Sequence, residues 1–556
     1  MTRFFRRLAF RKIVSFLLML AMGVLFVSAI QAAQAKDQIL KYAIKHADLG
    51  SLYPHRAYSD QDTLISEMIF NGLLRYEPGN RSVDSIEGDL AEEVPVPKIL
   101  SDGRQEWVFK LRRGVMFQPY AGKPGYEVTS EDILFSFKKA ADPKYASYAS
   151  DYNGMTFEAP DKYTFKVIVE KPVSKIIFLP YFSNTYGGQI ICKKAFEEKG
   201  YDWYKTHPIG TGPFMFKSYT PREKVVLVKH EKYYRGVPRL KQVEVMFMPN
   251  LSSRELALQK GEIDVAWGIR EQTWIEKMEK FKNVKVCVVG SNEPYILHFN
   301  MSMPPIDKLK VRQAIAYALD RDQFIAFKGP SVTTYMLSAA PAGVIPGGLT
   351  REEVTKAGLL YKHDIKKAKQ LLAEAGYPNG FTLTLHTTTN PAFANTWPLI
   401  AAQLKKVGII LKFKPCDHPT WHTMIRKNLN PLVFYGGGRA NPHLILSQRY
   451  HSDAIVVTGK KPITNFSHIG AVDADGDGKI DNIDALIYAA RVEPDADKQI
   501  KLWKEAQIKL LKWVVSYPLY RQKSAFATKP NFEWGHGLKL VHGFPRPNED
   551  SRLLPY

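Results

Sequence analysis

The sequence predicts a mixed α/β fold that is built from more than one domain. Of its 556 residues, 45% are hydrophobic and 24% are charged, a balance typical of folded chains rather than disordered ones. At about 150 residues per domain, this length indicates roughly three domains. Short β-rich segments alternate with amphipathic helical segments, and neither an internal repeat nor a low-complexity linker interrupts them.

Residues 1–35 have the pattern of a secretory signal peptide. Residues 1–12 hold five basic side chains and no acidic one, residues 13–29 are an apolar run, and Ala33-Gln34-Ala35 follows. This arrangement predicts cleavage after Ala35 and therefore a periplasmic location. The apolar run is close to the lower length limit for crossing a bilayer, so an uncleaved membrane anchor is the alternative.

The formal net charge of +22 would suit a nucleic acid or an anionic membrane surface. Export and the absence of a nucleic-acid-binding motif argue against nucleic acid, so we interpret the charge as a solvated basic surface. With only Cys192, Cys287 and Cys416, the chain forms one disulfide or none.

Local patterns predict the individual elements in order along the chain. The predicted strands are 106–111, 223–230, 240–248, 381–387 and 409–414. The predicted helices are 62–74, a helix that begins at the capping-box sequence from Thr129 to Asp132, 364–375, 482–491 and 497–515. In the helix 364–375 the residues Ala368, Leu371 and Leu372 share one face, and Gly376 and Pro378 end the helix.

Nine segments carry a family resemblance. They are GDLAEE (88–93), SDG (101–103), WVFKLRRGVMF (107–117), TSEDILFSF (129–137), GTGPF (210–214), HEKYYRGVPRL (230–240), ALQKGEIDVA (257–266), HFNMSMPPIDKLKVRQAIAYALDRD (298–322) and DIKKAKQLLAEAGYPNGFTLTL (364–385). In this order the chain resembles the extracellular solute-binding proteins of family 5, which include oligopeptide-, dipeptide- and nickel-binding components of ABC importers.

The resemblance implies a periplasmic-binding-protein-like architecture of type II, in which two α/β lobes close over a ligand like a flytrap and a small domain is inserted. The expected parts are the first lobe (36–79, 206–293 and 518–556), the inserted domain (80–205) and the second lobe (294–517). The resemblance also implies a monomer that captures a peptide or similar small solute and delivers it to an ABC permease, without catalysis. A ligand that contacts both lobes would favour the closed state.

The predicted cleft departs from the pattern of peptide-binding relatives. Many of them have an acidic residue that pairs with the ligand's α-ammonium group, whereas here Gly438 aligns with that acid and Arg439 follows it. An arginine suits a carboxylate or phosphate, which favours acidic peptides or other anionic solutes, although a flexible turn with a surface arginine is the alternative. The candidate ligand contacts, each of which could instead be packing, are Tyr295, Asn300, Trp397, Tyr435, Gly436, Gly437, Gly438, Arg439 and Asn441.

A twelve-residue acidic loop spans 473–484 and has the spacing of a calcium-binding loop. The expected Ca²⁺ ligands are Asp473, Asp475, Asp477, the carbonyl oxygen of Lys479, Asp481 and Asp484. Ile480 is the expected hydrophobic anchor, and Asp484 stands where such loops usually have Glu. The alternative is a solvated Asp-Gly turn, but clustered carboxylates repel one another without a cation. A bound ion would be structural.

Enzyme and other metal signals are weaker. Cys416, His418 and His422 lie close together, but Pro419 between the histidines favours the start of a helix over a metal site. No motif nominates a nucleophile with its base. A secreted α/β hydrolase and a ligand-loaded partner of a chemoreceptor remain the alternatives to transport.

Overall fold

The computed structural model describes residues 38–555 apart from 58, 440, 458–463 and 540–543. The predicted signal peptide, residues 1–35, lies outside the described residues. In the part of the chain that is described, no helix has both the length and the apolar character of a membrane span.

Strands and helices alternate along the described chain, as the sequence predicts. The strands are β1 (Ile39–Ile44), β2 (Leu74–Tyr76), β3 (Ile86–Gly88), β4 (Lys98–Ile99), β5 (Gln105–Lys110), β6 (Met155–Asp161), β7 (Thr164–Val169), β8 (Phe214–Thr220), β9 (Lys224–Lys229), β10 (Gln242–Phe247), β11 (Val265–Trp267), β12 (Lys285–Phe299), β13 (Thr333–Tyr335), β14 (Phe381–Thr388), β15 (Ile409–Cys416), β16 (Leu432–Gly436), β17 (Ser516–Thr528), β18 (Phe532–Glu533) and β19 (Arg552–Leu553). The α-helices are α1 (Asp60–Ile69), α2 (Ser130–Ala140), α3 (Lys175–Tyr181), α4 (Lys193–Lys199), α5 (Tyr201–Tyr204), α6 (Leu251–Gln259), α7 (Gln272–Glu279), α8 (Leu309–Ala318), α9 (Arg321–Lys328), α10 (Arg351–Lys356), α11 (Ile365–Glu374), α12 (Pro391–Ala394), α13 (Trp397–Lys405), α14 (His418–Arg426), α15 (Pro442–Tyr450), α16 (Asp484–Val492) and α17 (Ala496–Lys512).

The largest sheet has nine of the described strands, in the order β16-β12-β17-β11-β1-β10-β9-β8 with β13 also paired to β17. β1 is parallel to β10 and β11, and the other pairs are antiparallel. On β10 the buried side chains of Val243, Val245 and Phe247 alternate with partly exposed ones. This is the period-two pattern from which the strand was predicted.

β12 and β17 are long enough to run through two apolar cores. They pair antiparallel, with a register shift between Val289 and Glu293. On one side of this shift, Val289 and Phe526 belong to a core that includes residues of β1 and β10. On the other side, Tyr295 and Tyr520 belong to a second core that includes α8 and α11. The two strands therefore carry the chain from one core to the other and back.

A third apolar cluster joins the predicted inserted domain to the predicted second lobe. Ile176 and Ile177 of α3 share this cluster with residues of α15, α16 and α17. Beside it, the buried Ser174 hydroxyl donates a hydrogen bond to Gln499 Oε1 at 2.6 Å. The inserted domain thus contacts helices that directly follow the acidic loop.

Two smaller sheets lie within the predicted parts. The four-stranded sheet β4-β5-β7-β6 falls inside 80–205, and the parallel pair β14-β15 falls inside 294–517. The bounds of the three parts themselves stay a prediction.

The predicted helix 62–74 is too long: α1 ends at Ile69, where Phe70 becomes extended, and Leu74 begins β2. Two other predicted helix ends are confirmed. The Thr129 backbone N–H donates to the Asp132 carboxylate at 3.0 Å before α2, which is half of the expected capping box. Asp364 caps α11, and Gly376 after it has a φ of +92°, a conformation that favours glycine. The three cysteines are all free, so of the two alternatives, one disulfide or none, the structure has none.

Candidate ligand-binding site and acidic loop

The glycine–arginine turn, residues 436–439, follows the edge strand β16. Gly436 pairs with Tyr295 on β12, and a Cβ atom at Gly436 would lie 2.9 Å from the carbonyl oxygen of Pro294. Gly437 has a φ of +116°. Both positions therefore need glycine, one for close strand contact and one for its backbone conformation.

Two guanidinium groups converge on this turn. A Cβ atom at Gly437 would lie 3.5 Å from Arg439 Nη1 and 3.8 Å from Arg449 Nη2. Arg439 Nη1 donates to the carbonyl oxygen of Gly438 at 2.8 Å, and Arg449 Nη2 donates to that of Gly437. Arg439 is partly exposed, whereas Arg449 is buried. The turn therefore carries two positive charges close to its backbone.

Residues of the first lobe add a second group of charges. Arg270 Nη2 lies 3.9 Å from Glu293 Oε2, and Lys45 Nζ lies 4.8 Å above the ring of Trp267. Burial lowers the pKa of Lys45, and the charge of Arg270 lowers it further. Burial also raises the pKa of Asp60. The charge of Asp60 in turn raises the pKa values of Lys45 and Arg270.

Glu293 connects the two groups, because its charge acts on Arg270 in the predicted first lobe and on Arg449 in the predicted second lobe. It lies on β12 at the register shift where the chain passes between the cores. The resulting charged cluster contains Lys45, Asp60, Arg270, Glu293, Arg439 and Arg449. With four cations against two carboxylates, this cluster favours an anion.

The other predicted cleft residues are mostly buried. Tyr295 stacks on Tyr520 at 5.0 Å between ring centroids, and Trp397 packs against Phe434 at 5.9 Å. Asn300 lies beyond the far end of β12 and donates to Asn430 O at 3.0 Å. Tyr295 and Trp397 thus pack in the second core, Asn300 is held by a hydrogen bond, and a ligand-binding role for all three stays a prediction.

Two further candidates flank the turn. Asn441 is buried and caps α15 by accepting the Leu444 N–H at 2.9 Å. Tyr435 is partly exposed, with its ring 5.1 Å from Phe466. The structure therefore brings Tyr435, Gly436, Gly437, Gly438, Arg439 and Asn441 together at one end of β16.

The histidine pair lies on α14, which confirms that a helix begins at this point. His418 Nε2 and His422 Nε2 are 3.2 Å apart, while His418 Nδ1 lies 3.0 Å from Thr388 Oγ1. Arg426 Nη1 lies 2.9 Å from His422 Nδ1. One assignment of the ring protons satisfies all of these contacts, so the pair has its partners without a metal.

The structure brings three of the predicted calcium ligands together. Asp473, Asp475 and Asp481 each offer one carboxylate oxygen within 4.8 Å of the others. The N–H groups of Gly478 and Gly476 donate to Asp473 at 2.8 and 2.7 Å and lower its pKa. Burial and the charge of Asp475 raise the pKa of Asp481.

The remaining predicted ligands make other contacts. Asp477 accepts the Lys479 N–H at 2.9 Å. Asp484 accepts the Ser452 N–H at 3.1 Å and lies 3.9 Å from His451 Nε2. Asp477, Lys479 and Asp484 therefore stand apart from the group of three carboxylates, and their role as calcium ligands stays a prediction.

The prediction that Ile480 anchors the acidic loop is wrong. Ile480 is 63% exposed, whereas Ala474 and Ile483 are buried in the third apolar cluster. Buried Arg312 also donates to the carbonyl oxygen of Ala474. Ala474 and Ile483, and not Ile480, therefore attach the loop to the third apolar cluster.

Sequence reasoning missed Lys45, Asp60, Arg270, Glu293 and Arg449. Charged residues scattered along a basic chain look like solvated surface, and their convergence depends on the long-range pairing of β12 with β16 and β17. No local spacing marks them.

Three comparisons place the chain among known proteins. A family model described as bacterial extracellular solute-binding proteins, family 5 Middle, matches residues 85–454, more than half of the chain. Heme-binding protein A of Haemophilus influenzae is 26% identical, with 80% of each chain covered.

Solved structures are similar over nearly the whole chain. The periplasmic binding protein MoaA from A. tumefaciens R10, in complex with mannopinic acid, is 34% identical with a TM-score of 0.75, covering 93% of this chain and 99% of that one. DppA from Helicobacter pylori, in complex with the peptide STSA, is 25% identical with a TM-score of 0.72, covering 93% and 98%. These similarities confirm the two-lobe type II architecture.

Members of this family bind peptides or other small ligands and deliver them to ABC permeases, and they are binding proteins rather than enzymes. Family membership therefore argues against the alternative of a secreted hydrolase. The chain belongs to family 5 of the bacterial extracellular solute-binding proteins.

Proposed function

We propose that this protein captures a small anionic solute between its lobes and delivers it to an ABC permease. The observation that carries the proposal is the glycine–arginine turn, where Arg439 and Arg449 converge on Gly437. Guanidinium groups bind carboxylates and phosphates in fixed geometry.

The ligands of similar proteins support an acidic ligand and are also compatible with a peptide. MoaA binds mannopinic acid and DppA of Helicobacter pylori binds the peptide STSA. The identity to MoaA is the higher of the two, 34% against 25%. An acidic peptide would suit the charged cluster as well as a sugar-derived acid.

Native mass spectrometry of the protein purified from its source tests this proposal. We expect a co-purified small molecule that carries at least one acidic group, and a higher melting temperature with mannopinic acid or acidic peptides than without. The matched controls are peptides of the same length with an amidated C-terminus and no acidic side chain. A tightly bound ligand without an acidic group would contradict the proposal.

We also propose that the protein is a monomer and reaches the periplasm by cleavage after Ala35. A relative in Escherichia coli is named a probable D,D-dipeptide-binding periplasmic protein, which supports this location. A role as ligand-loaded partner of a chemoreceptor stays a prediction. The mass of the purified chain checks both the cleavage site and the oligomeric state.

We further propose that the acidic loop binds one Ca²⁺ ion with a structural role. The proximity of Asp473, Asp475 and Asp481 supports it, because three carboxylates within 4.8 Å repel one another unless a cation joins them. A bound ion would hold the loop that leads into α16.

Calcium binding is measured by the melting temperature with Ca²⁺ and after chelation. We expect Ca²⁺ to stabilise the protein, and Asp475→Asn to weaken this response. Asp497→Asn, an exposed change in the first turn of α17, is the matched control. Equal melting temperatures with and without Ca²⁺ would identify the loop as a plain acidic turn.

A further inference from the structure

We infer that Arg449 and His298 form a buried anion subsite in the second lobe, and that this subsite holds a carboxylate group of the ligand. The inference rests on the proposed function and deepens it, because it names the group of the ligand that is recognised and the residues that recognise it.

The first observation is the unpaired state of Arg449. Its side chain is 1% exposed, and only Nη2 has an acceptor, the carbonyl oxygen of Gly437. Among the described residues, neither Nε nor Nη1 has a hydrogen-bond partner. A buried cation whose donors lack acceptors is costly, so a group that supplies acceptor oxygens is expected there.

The second observation is the charge around Arg449. Arg439, which is also positive, has a larger electrostatic effect on Arg449 than Glu293 has. Glu293 itself lies 3.9 Å from Arg270. Burial and the repulsion from Arg439 lower the pKa of Arg449 to about 10. Among the described residues, no carboxylate forms an ion pair with Arg449.

The third observation is His298 on β12. It is fully buried between Tyr450, at 6.0 Å, and Phe466, at 5.7 Å between ring centroids. Neither ring nitrogen has a hydrogen-bond partner within the described chain. Burial lowers its pKa to about 3, and the charge of Arg449 acts in the same direction. The imidazole is therefore neutral and has one N–H to donate.

Together these groups match a carboxylate. Nη1 of Arg449 has no partner among the described residues and shares the outer edge of the planar guanidinium group with Nη2, an edge that suits the two oxygens of a carboxylate. The neutral imidazole adds one more donor without a competing charge. Gly437 keeps the approach open, because a side chain there would point at both arginines.

The test begins with the ligand-free protein, refolded after removal of bound solute. We expect Arg449→Met to raise its melting temperature by several degrees, because the uncompensated buried charge is removed. Arg491→Met, an exposed arginine on α16, is the matched control and should leave it unchanged. An equal or lower melting temperature for Arg449→Met would overturn the inference, since Arg449 would then be a structural residue.

The second arm uses succinate as the carboxylate probe and succinamide as its neutral analogue. We expect succinate alone to raise the melting temperature of the wild-type protein, and Arg449→Met and His298→Phe to lose this response. A succinate response that survives Arg449→Met, or its absence in the wild type, would overturn the subsite.

The two proposals fail in different ways. If an anionic solute binds equally well to the wild type and to Arg449→Met, the proposed function stands and the subsite is wrong. If the co-purified ligand has no acidic group, the proposed function fails, while the melting temperature of the ligand-free variant still reports on Arg449.

Discussion

Replacing Arg312 by methionine is expected to destabilise the second lobe by about 4 kcal/mol. Arg312 is fully buried on α8 and donates to four carbonyl oxygens. These belong to Ile306 at 2.9 Å, Asp307 at 2.6 Å, Trp513 at 2.9 and 3.1 Å, and Ala474. Methionine fills much of the same space but donates nothing, so all four acceptors would lose a partner.

The magnitude follows from that count. At roughly 1 kcal/mol for each carbonyl oxygen that is left without its donor, the four acceptors correspond to about 4 kcal/mol. For a lobe of about 200 residues, this lowers the melting temperature by roughly 8–16 °C. The loss is concentrated where the acidic loop meets the end of α17, because Ala474 and Trp513 lie there.

Calorimetry of the purified protein measures this change. Arg312→Lys should recover little, since a single ammonium group does not reach carbonyls spread around a planar guanidinium. Arg351→Met, at an exposed position in the same lobe, is the matched control and should change stability by less than about 0.5 kcal/mol. A wild-type transition for Arg312→Met would refute the reasoning.

Three further outcomes are expected. Burial lowers the pKa of His55 to about 4 and that of His298 to about 3, from an ordinary 6.5. Unfolding therefore takes up protons, and melting temperatures should fall as the pH drops from about 6.5 towards 4; a flat profile would contradict this. Ser174→Ala removes the buried donor to Gln499 and should cost about 1–2 kcal/mol in urea unfolding, whereas unchanged stability would show that the contact contributes nothing. Asp364→Ala removes the N-cap of α11 and should cost about 1 kcal/mol in urea unfolding; no loss would mean that the cap is replaced by water.

Local features of the fold could be predicted from the sequence because they depend on neighbouring residues. Asp364 and Gly376 mark the ends of α11 through hydrogen bonding and backbone conformation that act within one turn. Val243 and Val245 on β10 alternate with polar residues in the same way. The family could be recognised from the sequence for a similar reason, because its characteristic segments are short and occur in a fixed order along the chain.

The site could be predicted only in part. The turn at Gly438 and Arg439 could be proposed because its glycines and arginine stand in one short segment, and its binding role stays a prediction. Arg449 and His298 could not be proposed from the sequence, because an arginine inside a helix and a histidine inside a strand have no local mark of burial. Trp397 was also expected in the cleft; it packs against Phe434, and its ligand-binding role stays a prediction.

The pairing of residues near both ends of the described chain has a consequence for the order in which the two cores form. Gln38 Nε2 donates to Leu553 O at 2.8 Å, Tyr42 Oη donates to Pro545 O at 3.1 Å, and β11 pairs with β17. The buried residues of the second core all lie between Tyr295 and Tyr520. The first core joins residues near 40 to residues as far along as Trp534 and Leu553. Because contacts between residues so distant in sequence form slowly, we expect the pairing of β11 with β17 to be among the last steps of folding.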